Sequence, residues 1–190
     1  MKERLVRGTN LTGVMRVLRS QRRSRPLPEL GDWETDLMRR RIAPSTWYSL
    51  KVFDSLLQLV HRFVFDGSEA AAQRMGRTYA NEGIGERGND LIVPGDPLAT
   101  LGRLPGRWHE QYNFGQVNVQ PLPGHAGEHG EHGVRVRINA FPDMSACHGH
   151  VIMGFTAELA ERAGAKQTQL LLEERPWMHN SVLSYTLTWH

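Results

Sequence analysis

Residues 145–164 read SACHGHVIMGFTAELAERAG. Cys147, His148 and His150 stand together at the front of this stretch, and Val151, Phe155, Leu159 and Ala160 follow at helical spacing. Three readings compete: a metal site, a Cys–His catalytic pair, and the start of a buried helix. On a helix, residues two apart point in different directions, so His148 and His150 chelate one ion only from a strand or an irregular turn. A catalytic thiolate needs a base within hydrogen-bond reach and a third, orienting group, and adjacent helical side chains do not meet. The helix is the simplest reading. Cys147, four residues before Val151, then serves as a small apolar residue at the first buried turn. His148 and His150 flank the stripe at the helix start, and Gly149 and Gly154 allow close packing on strands.

Two patterns of period two surround this helix. In FGQVNVQPL, Val117 and Val119 alternate with polar residues, and in GVRVRINAF, Val134, Val136 and Ile138 alternate with Arg135 and Arg137. After the helix, QTQLLLEE and SVLSYTLTW form a second pair, with Leu183, Tyr185, Leu187 and Trp189 on one face. Alternation of this kind marks half-buried strands. The expected fold class is therefore α+β, with N-terminal helices followed by β-β-α-β-β and a four-stranded antiparallel sheet covered by a helix. Val151, Phe155 and Leu159 are expected to lie on that sheet.

The N-terminal half is helical in pattern. TNLTGVMRVLRSQRR carries Leu11, Val14, Val17 and Leu18 on one stripe, with Thr9 or Asn10 as cap. DWETDLMRRRI is a short second helix. Pro44 and Ser45 open the strongest helix, TWYSLKVFDSLLQLVHRFVF, in which Trp47, Leu50, Phe53, Leu57, Val60 and Val64 recur at spacings of three and four. Ser68 caps a further helix, and Pro97 sits in the first turn of another. The glycine-rich GIGERGND follows no strand and lacks G-x-G-x-x-G, which argues against a phosphate loop. The 190 residues suit one domain, helical over 1–108 and sheet-containing over 109–190.

Composition narrows the function classes. Apolar residues make up 39% and charged residues 23%, the balance of a globular chain, and no apolar run spans a bilayer. One cysteine makes no internal disulfide, and no secretory leader is visible, so a cytoplasmic location is expected. The net charge is +3, carried almost wholly by arginine, with clusters at RSQRRSR and at Arg39, Arg40 and Arg41. No recognition motif or interleaved aromatics accompany them, so they read as a solvated face and nucleic acid is not the expected partner. His125, His129 and His132, with Glu128 and Glu131, sit in the glycine-rich loop PGHAGEHGEHG, which lacks the rigid support of a built metal site.

Four stretches carry a resemblance: VRGTNLTGVMRVL, PSTWYSLKVFDSLL, CHGHVIMGFTAELAERAGAK and SYTLTW. Together they resemble a paralogous family abundant in myxobacteria, related to the heme-nitric-oxide-binding, 4-vinyl-reductase-type and TRAPP-like folds. The resemblance implies helices followed by β-β-α-β-β, and a sensing, ligand-binding or scaffold role rather than a known reaction. A heme sensor of this fold needs a proximal histidine on a helix before the sheet and a Tyr-x-Ser-x-Arg group for the propionates. His109 in GRWHEQY lies near the first position, but the first strand reads GQVNVQPL, so no cofactor is expected. The expectation is a non-enzymatic sensory or regulatory module. It would bind a hydrophobic small ligand in a cleft between the helix over 48–65, the helix over 147–163 and the sheet, lined by Phe155, Tyr185, Val151, Leu57 and Cys147. The alternative is a protein–protein interaction scaffold with a solid core. A homodimer through Trp33, Leu37, Met38 and Trp47 is expected with either.

Overall fold

The computed structural model describes residues 3–24, 32–83, 89–123, 132–141, 143–178 and 181–190. The second half follows the alternation in the sequence. β3 (Gln116–Pro121), β4 (His132–Asn139), β5 (Gln169–Glu174) and β6 (Val182–Trp189) form one antiparallel sheet in the order β3-β4-β6-β5. Val119 pairs with Val136 and Val136 with Tyr185, while Val134 pairs with Leu187 and Ile138 with Leu183. The period-two residues of the three strands thus share one face, and Val134, Val136, Ile138, Leu183, Tyr185 and Leu187 are buried. The opposite face is laced by ion pairs, Arg135 with Glu173 at 2.9 Å and Arg137 with Glu174 at 3.1 Å.

The connection between β4 and β5 is α7 (Ala146–Arg162), the helix of the opening stretch. It begins at a cap: the backbone N–H of His148 donates to Ser145 Oγ at 3.2 Å. α7 is buried on nearly every side because the sheet lies along one flank and α4 (Glu69–Gly83) along the other. The crossing with α4 is backbone on backbone. A Cβ on Gly76 would stand 2.0 Å from the Val151 carbonyl oxygen, and one on Gly154 would stand 2.0 Å from that of Gln73. Gly154 therefore admits α4 rather than a strand, and Gly149 faces the ring of Trp177. Toward the sheet, the hydroxyl of Thr156 lies 2.9 Å from that of Tyr185, and toward α4 the backbone at Val151 and Phe155 abuts Gly76. Arg77 of α4 closes the crossing with Glu161 at 2.6 Å and Glu158 at 3.4 Å.

The remaining helices are α1 (Gly8–Ser24), α2 (Asp32–Arg39), α3 (Leu50–Val64), α5 (Pro97–Gly102) and α6 (Leu104–Gln111). Leu11, Val14, Met15 and Leu18 form the buried stripe of α1. That helix starts at Gly8, so Thr9 and Asn10 are not its cap; both contact the Gln111 side chain instead. Ser68 caps α4 through the N–H of Ala71 at 3.1 Å, and Asp96 caps α5 through that of Ala99 at 2.8 Å.

Two short strands correct the helical reading of the first half. β1 (Leu5–Arg7) pairs antiparallel with β2 (Trp47–Ser49), and Val6 bridges on to Tyr112. The long helix therefore begins at Leu50, not at Trp47. Trp47 belongs to the small ladder, where the Arg7 guanidinium lies 4.3 Å from its ring centroid. One buried cluster runs through both halves, from Leu11 and Leu57 to Met75, Val136 and Leu187.

Candidate functional site

Polar side chains from α3, α6 and the start of α7 meet around His148, which is buried. Asp54 sits on α3 one turn after Leu50, in the middle of an otherwise apolar pattern. Its Oδ1 accepts a hydrogen bond from Ser145 Oγ at 2.6 Å, and its Oδ2 accepts one from Gln58 Nε2 at 2.6 Å. His148 Nδ1 faces the same carboxylate at 3.8 Å and has no hydrogen-bond partner. On its other side, His148 Nε2 lies 3.1 Å from the hydroxyl of Tyr112, the residue that ends α6. A carboxylate beside Nδ1 favours the tautomer protonated there, so Nε2 accepts the Tyr112 O–H. Burial pushes the Tyr112 hydroxyl well above its usual range, which keeps that proton in place.

Rings enclose this pair. Tyr112 stacks on Trp108 with centroids 4.2 Å apart, and the Trp108 indole N–H donates to the Phe114 carbonyl at 2.9 Å. Phe53 and Phe141 meet the His148 ring edge-on at 5.2 and 5.1 Å. The imidazole is only 1% exposed. Loss of hydration pulls its pKa down to about 4, against a smaller upward pull from the Asp54 charge. His148 is therefore neutral at physiological pH. Cys147 lies beside it, 6% exposed, with its thiol directed at the Leu57 carbonyl at 3.9 Å. Burial first, then the Asp54 charge, pushes that thiol up to about 12, the opposite of what a nucleophile requires.

His150 is buried as well, two residues on and turned toward Trp177, whose ring centroid lies 5.5 Å away. Gln73 Nε2 approaches its Nδ1 at 3.4 Å, and Glu69 faces its Nε2 at 3.5 Å. Burial lowers its pKa as well. Both histidines are thus interior residues, a correction to their expected place at the flank of the stripe. A helix covered on both sides has no solvent face to offer them. They point to different neighbours, and no group of three His, Cys, Asp or Glu side chains able to hold a metal ion occurs among the described residues. His125, Glu128, His129 and Glu131 lie outside the described residues.

The five residues expected to line a ligand cleft have three sets of neighbours. Cys147 and Leu57 face each other across α7 and α3. Tyr185 is wholly buried on the sheet with its hydroxyl on Thr156, and burial raises its pKa. Val151 is buried and Phe155 half-buried where α7 meets α4. Tyr112, Asp54 and Ser145 escaped the sequence reading. The signal available was Asp54, a lone carboxylate inside the apolar stripe of the strongest helix.

No protein-family model and no curated protein matches the chain. Solved structures do, and they define a class of fold. An H-NOX (heme-nitric oxide/oxygen binding) protein from S. oneidensis in the Fe(II)NO ligation state superposes with a TM-score of 0.68 at 13% identity, over 97% of this chain and 99% of that one. The Fe(II) unliganded H-NOX protein from K. algicida gives 0.65 at 12% identity, over 97% and 96%. An oxygen-binding H-NOX domain related to soluble guanylate cyclases gives 0.61 at 8% identity, over 96% and 93%. The chain has the H-NOX fold from end to end, and at these identities the likeness is one of fold.

The residues present do not fit a heme. On α6, the helix before the sheet, His109 is exposed, and the position turned into the core is Trp108. β3 offers Gln116, Asn118 and Gln120 and no Tyr-x-Ser-x-Arg group. The buried imidazole of His148 has its Nε2 engaged by Tyr112 and its ring closed in by Phe53 and Phe141.

Proposed function

We propose that the chain is a non-enzymatic sensory or regulatory module that passes its signal by protein contact around a solid core. The observation that carries this reading is the packing between α3, α7 and the sheet. Leu57, Val60, Leu183, Tyr185 and Leu187 are each 0% exposed, so no water-sized space touches them. His148, made a weak base by burial and with its Nε2 occupied by Tyr112, and the un-ionised Cys147 thiol are poorly suited to general-base or nucleophilic work, which supports a non-enzymatic role. The resemblance to the myxobacterial paralogous family and to TRAPP-like folds supports the scaffold side of the reading. A cytoplasmic location belongs to it too, since the one cysteine is free. So does a homodimer. Of the residues named for its interface, Met38 is buried and Leu37 and Trp47 are half-buried, leaving Trp33, 44% exposed, as the anchor on α2.

A second reading keeps a hydrophobic small ligand bound beside Phe155, Tyr185, Val151, Leu57 and Cys147. It is favoured by Phe155, a large ring left half-buried at the α4–α7 crossing. Native mass spectrometry of protein purified from its own host separates the two. The solid-core reading expects the mass of the polypeptide or of a complex with protein. A small molecule retained at one per chain would replace it with the second reading.

A further inference from the structure

We infer that this chain uses the H-NOX fold without a heme, the place beside α6 being filled by its own rings. α6 is a short helix whose buried side chain is the Trp108 indole, and His109, the next residue, is exposed. Neighbouring helical positions differ by about 100° in direction, so a helix that commits Trp108 to the core turns His109 away from it. The indole is fixed there by two independent contacts, its hydrogen bond to the Phe114 carbonyl at 2.9 Å and its stack on Tyr112 at 4.2 Å. Tyr112 in turn is held by His148, and Phe114 meets Phe141 edge-on at 4.8 Å. Phe141 returns to His148 at 5.1 Å, which closes the circuit of rings.

Trp108, Tyr112, Phe141 and His148 are 8%, 7%, 1% and 1% exposed. A macrocycle cannot enter such a circuit without breaking the Tyr112–His148 hydrogen bond and displacing rings that already fill the space. The charges are also wrong for propionates. The arginines on β4, Arg135 and Arg137, point to the other face of the sheet and are paired with Glu173 and Glu174. Input to this module therefore does not arrive as a gas on an iron centre. The inference stands apart from how the module passes its signal: a failure of the protein-contact reading would leave it intact.

The test is hemin itself, added to the full chain after expression with a heme precursor. The readouts are absorbance near the Soret maximum and the thermal midpoint, for the wild type and for His109→Ala, a surface substitution that leaves the core untouched. We expect no saturable one-to-one band and no rise in the midpoint. A weak, non-saturating absorbance shared equally by wild type and His109→Ala supports the inference, because it marks hemin on the surface. A stoichiometric band accompanied by a raised midpoint overturns it, whichever histidine proves to be the ligand, since a group bound only by the native state must stabilise it.

Discussion

Ser145 donates to Asp54 Oδ1 at 2.6 Å while its own Oγ accepts the backbone N–H of His148 at 3.2 Å. One hydroxyl thus starts α7 and moors it to α3. Ser145→Ala removes both bonds and leaves the Asp54 carboxylate, 19% exposed, with one fewer donor. Loss of a cap and of a hydrogen bond to a charged group together should cost about 2–3 kcal/mol. Urea denaturation checks this. A midpoint equal to that of the wild type would show that the hydroxyl does not join the two helices.

His148 makes the stability depend on pH, and the sign follows from its environment. Its pKa falls from 6.5 in the free side chain to about 4 in the fold, so both states are neutral above pH 6.5 and the contribution is fully present there. Between pH 6.5 and 4 the unfolded chain binds a proton that the native state refuses, and stability is lost as pH falls. The loss approaches roughly 3 kcal/mol at 1.36 kcal/mol per pH unit. His148→Gln is neutral throughout and keeps a polar partner for Tyr112, so its stability should fall by about one proton less steeply across this window. Asp54→Asn should act in the opposite sense, since the carboxylate is what partly supports the imidazolium. Equal slopes for wild type and His148→Gln would remove His148 from the buried circuit.

The sequence made the sheet legible and the polar interior illegible, for physical reasons. Val134, Val136 and Ile138 alternate with arginines because one face of β4 is dry and the other wet, and burial of that kind writes itself into the chain as period two. β1 and β2 are three residues each, too short to show any period. Trp47 stands three before Leu50 and so extends a helical stripe it does not join. α7 is covered on both sides, so nothing in its pattern separates a buried histidine from an exposed one. The Asp54–His148–Tyr112 array is assembled from three elements, and no local spacing foretells it. The relation to the heme-nitric-oxide-binding fold rested on the resemblance of four stretches, among them PSTWYSLKVFDSLL and SYTLTW, and the element order agrees with it. The rings that fill the place beside α6 were not legible, because Trp108 and His109 are neighbours in sequence and only the helix phase decides which one turns inward.

Cys147 should be inert in the native state. With its thiol pushed from 9.0 to about 12, it forms far less thiolate at pH 8 than a free cysteine does. Each pKa unit is tenfold, so reaction with a disulfide reagent should be roughly a thousandfold slower on this ground alone. Denaturant should restore the ordinary rate. Cys147→Ser should fold and lose about 1 kcal/mol or more by placing a stronger polar group among apolar neighbours. Immediate labelling without denaturant would show the thiol at the surface.

The two glycines at the α4–α7 crossing give the sharpest test of the fold. Gly76 and Gly154 each lack room for a methyl group, whose carbon would stand 2.0 Å from a backbone carbonyl oxygen of the opposite helix. Backbone cannot step aside as a flexible side chain does, so either substitution to alanine must part the helices along their length. That would also strain the Arg77 bridges to Glu158 and Glu161. Overpacking at a rigid site typically costs 1–3 kcal/mol or more, and these two positions should reach about 3 kcal/mol or fail to fold. Gly106 on α6 supplies the contrast. Nothing lies within 4 Å of a Cβ placed there, so Gly106→Ala gains helix propensity without a clash. It should stabilise by about 0.5–1 kcal/mol. Thermal or urea unfolding of the three variants decides the matter. If Gly154→Ala melts with the wild type while Gly106→Ala is raised as expected, α7 does not cross α4 at this distance, and the packing that buries His148 and His150 would have to be redrawn.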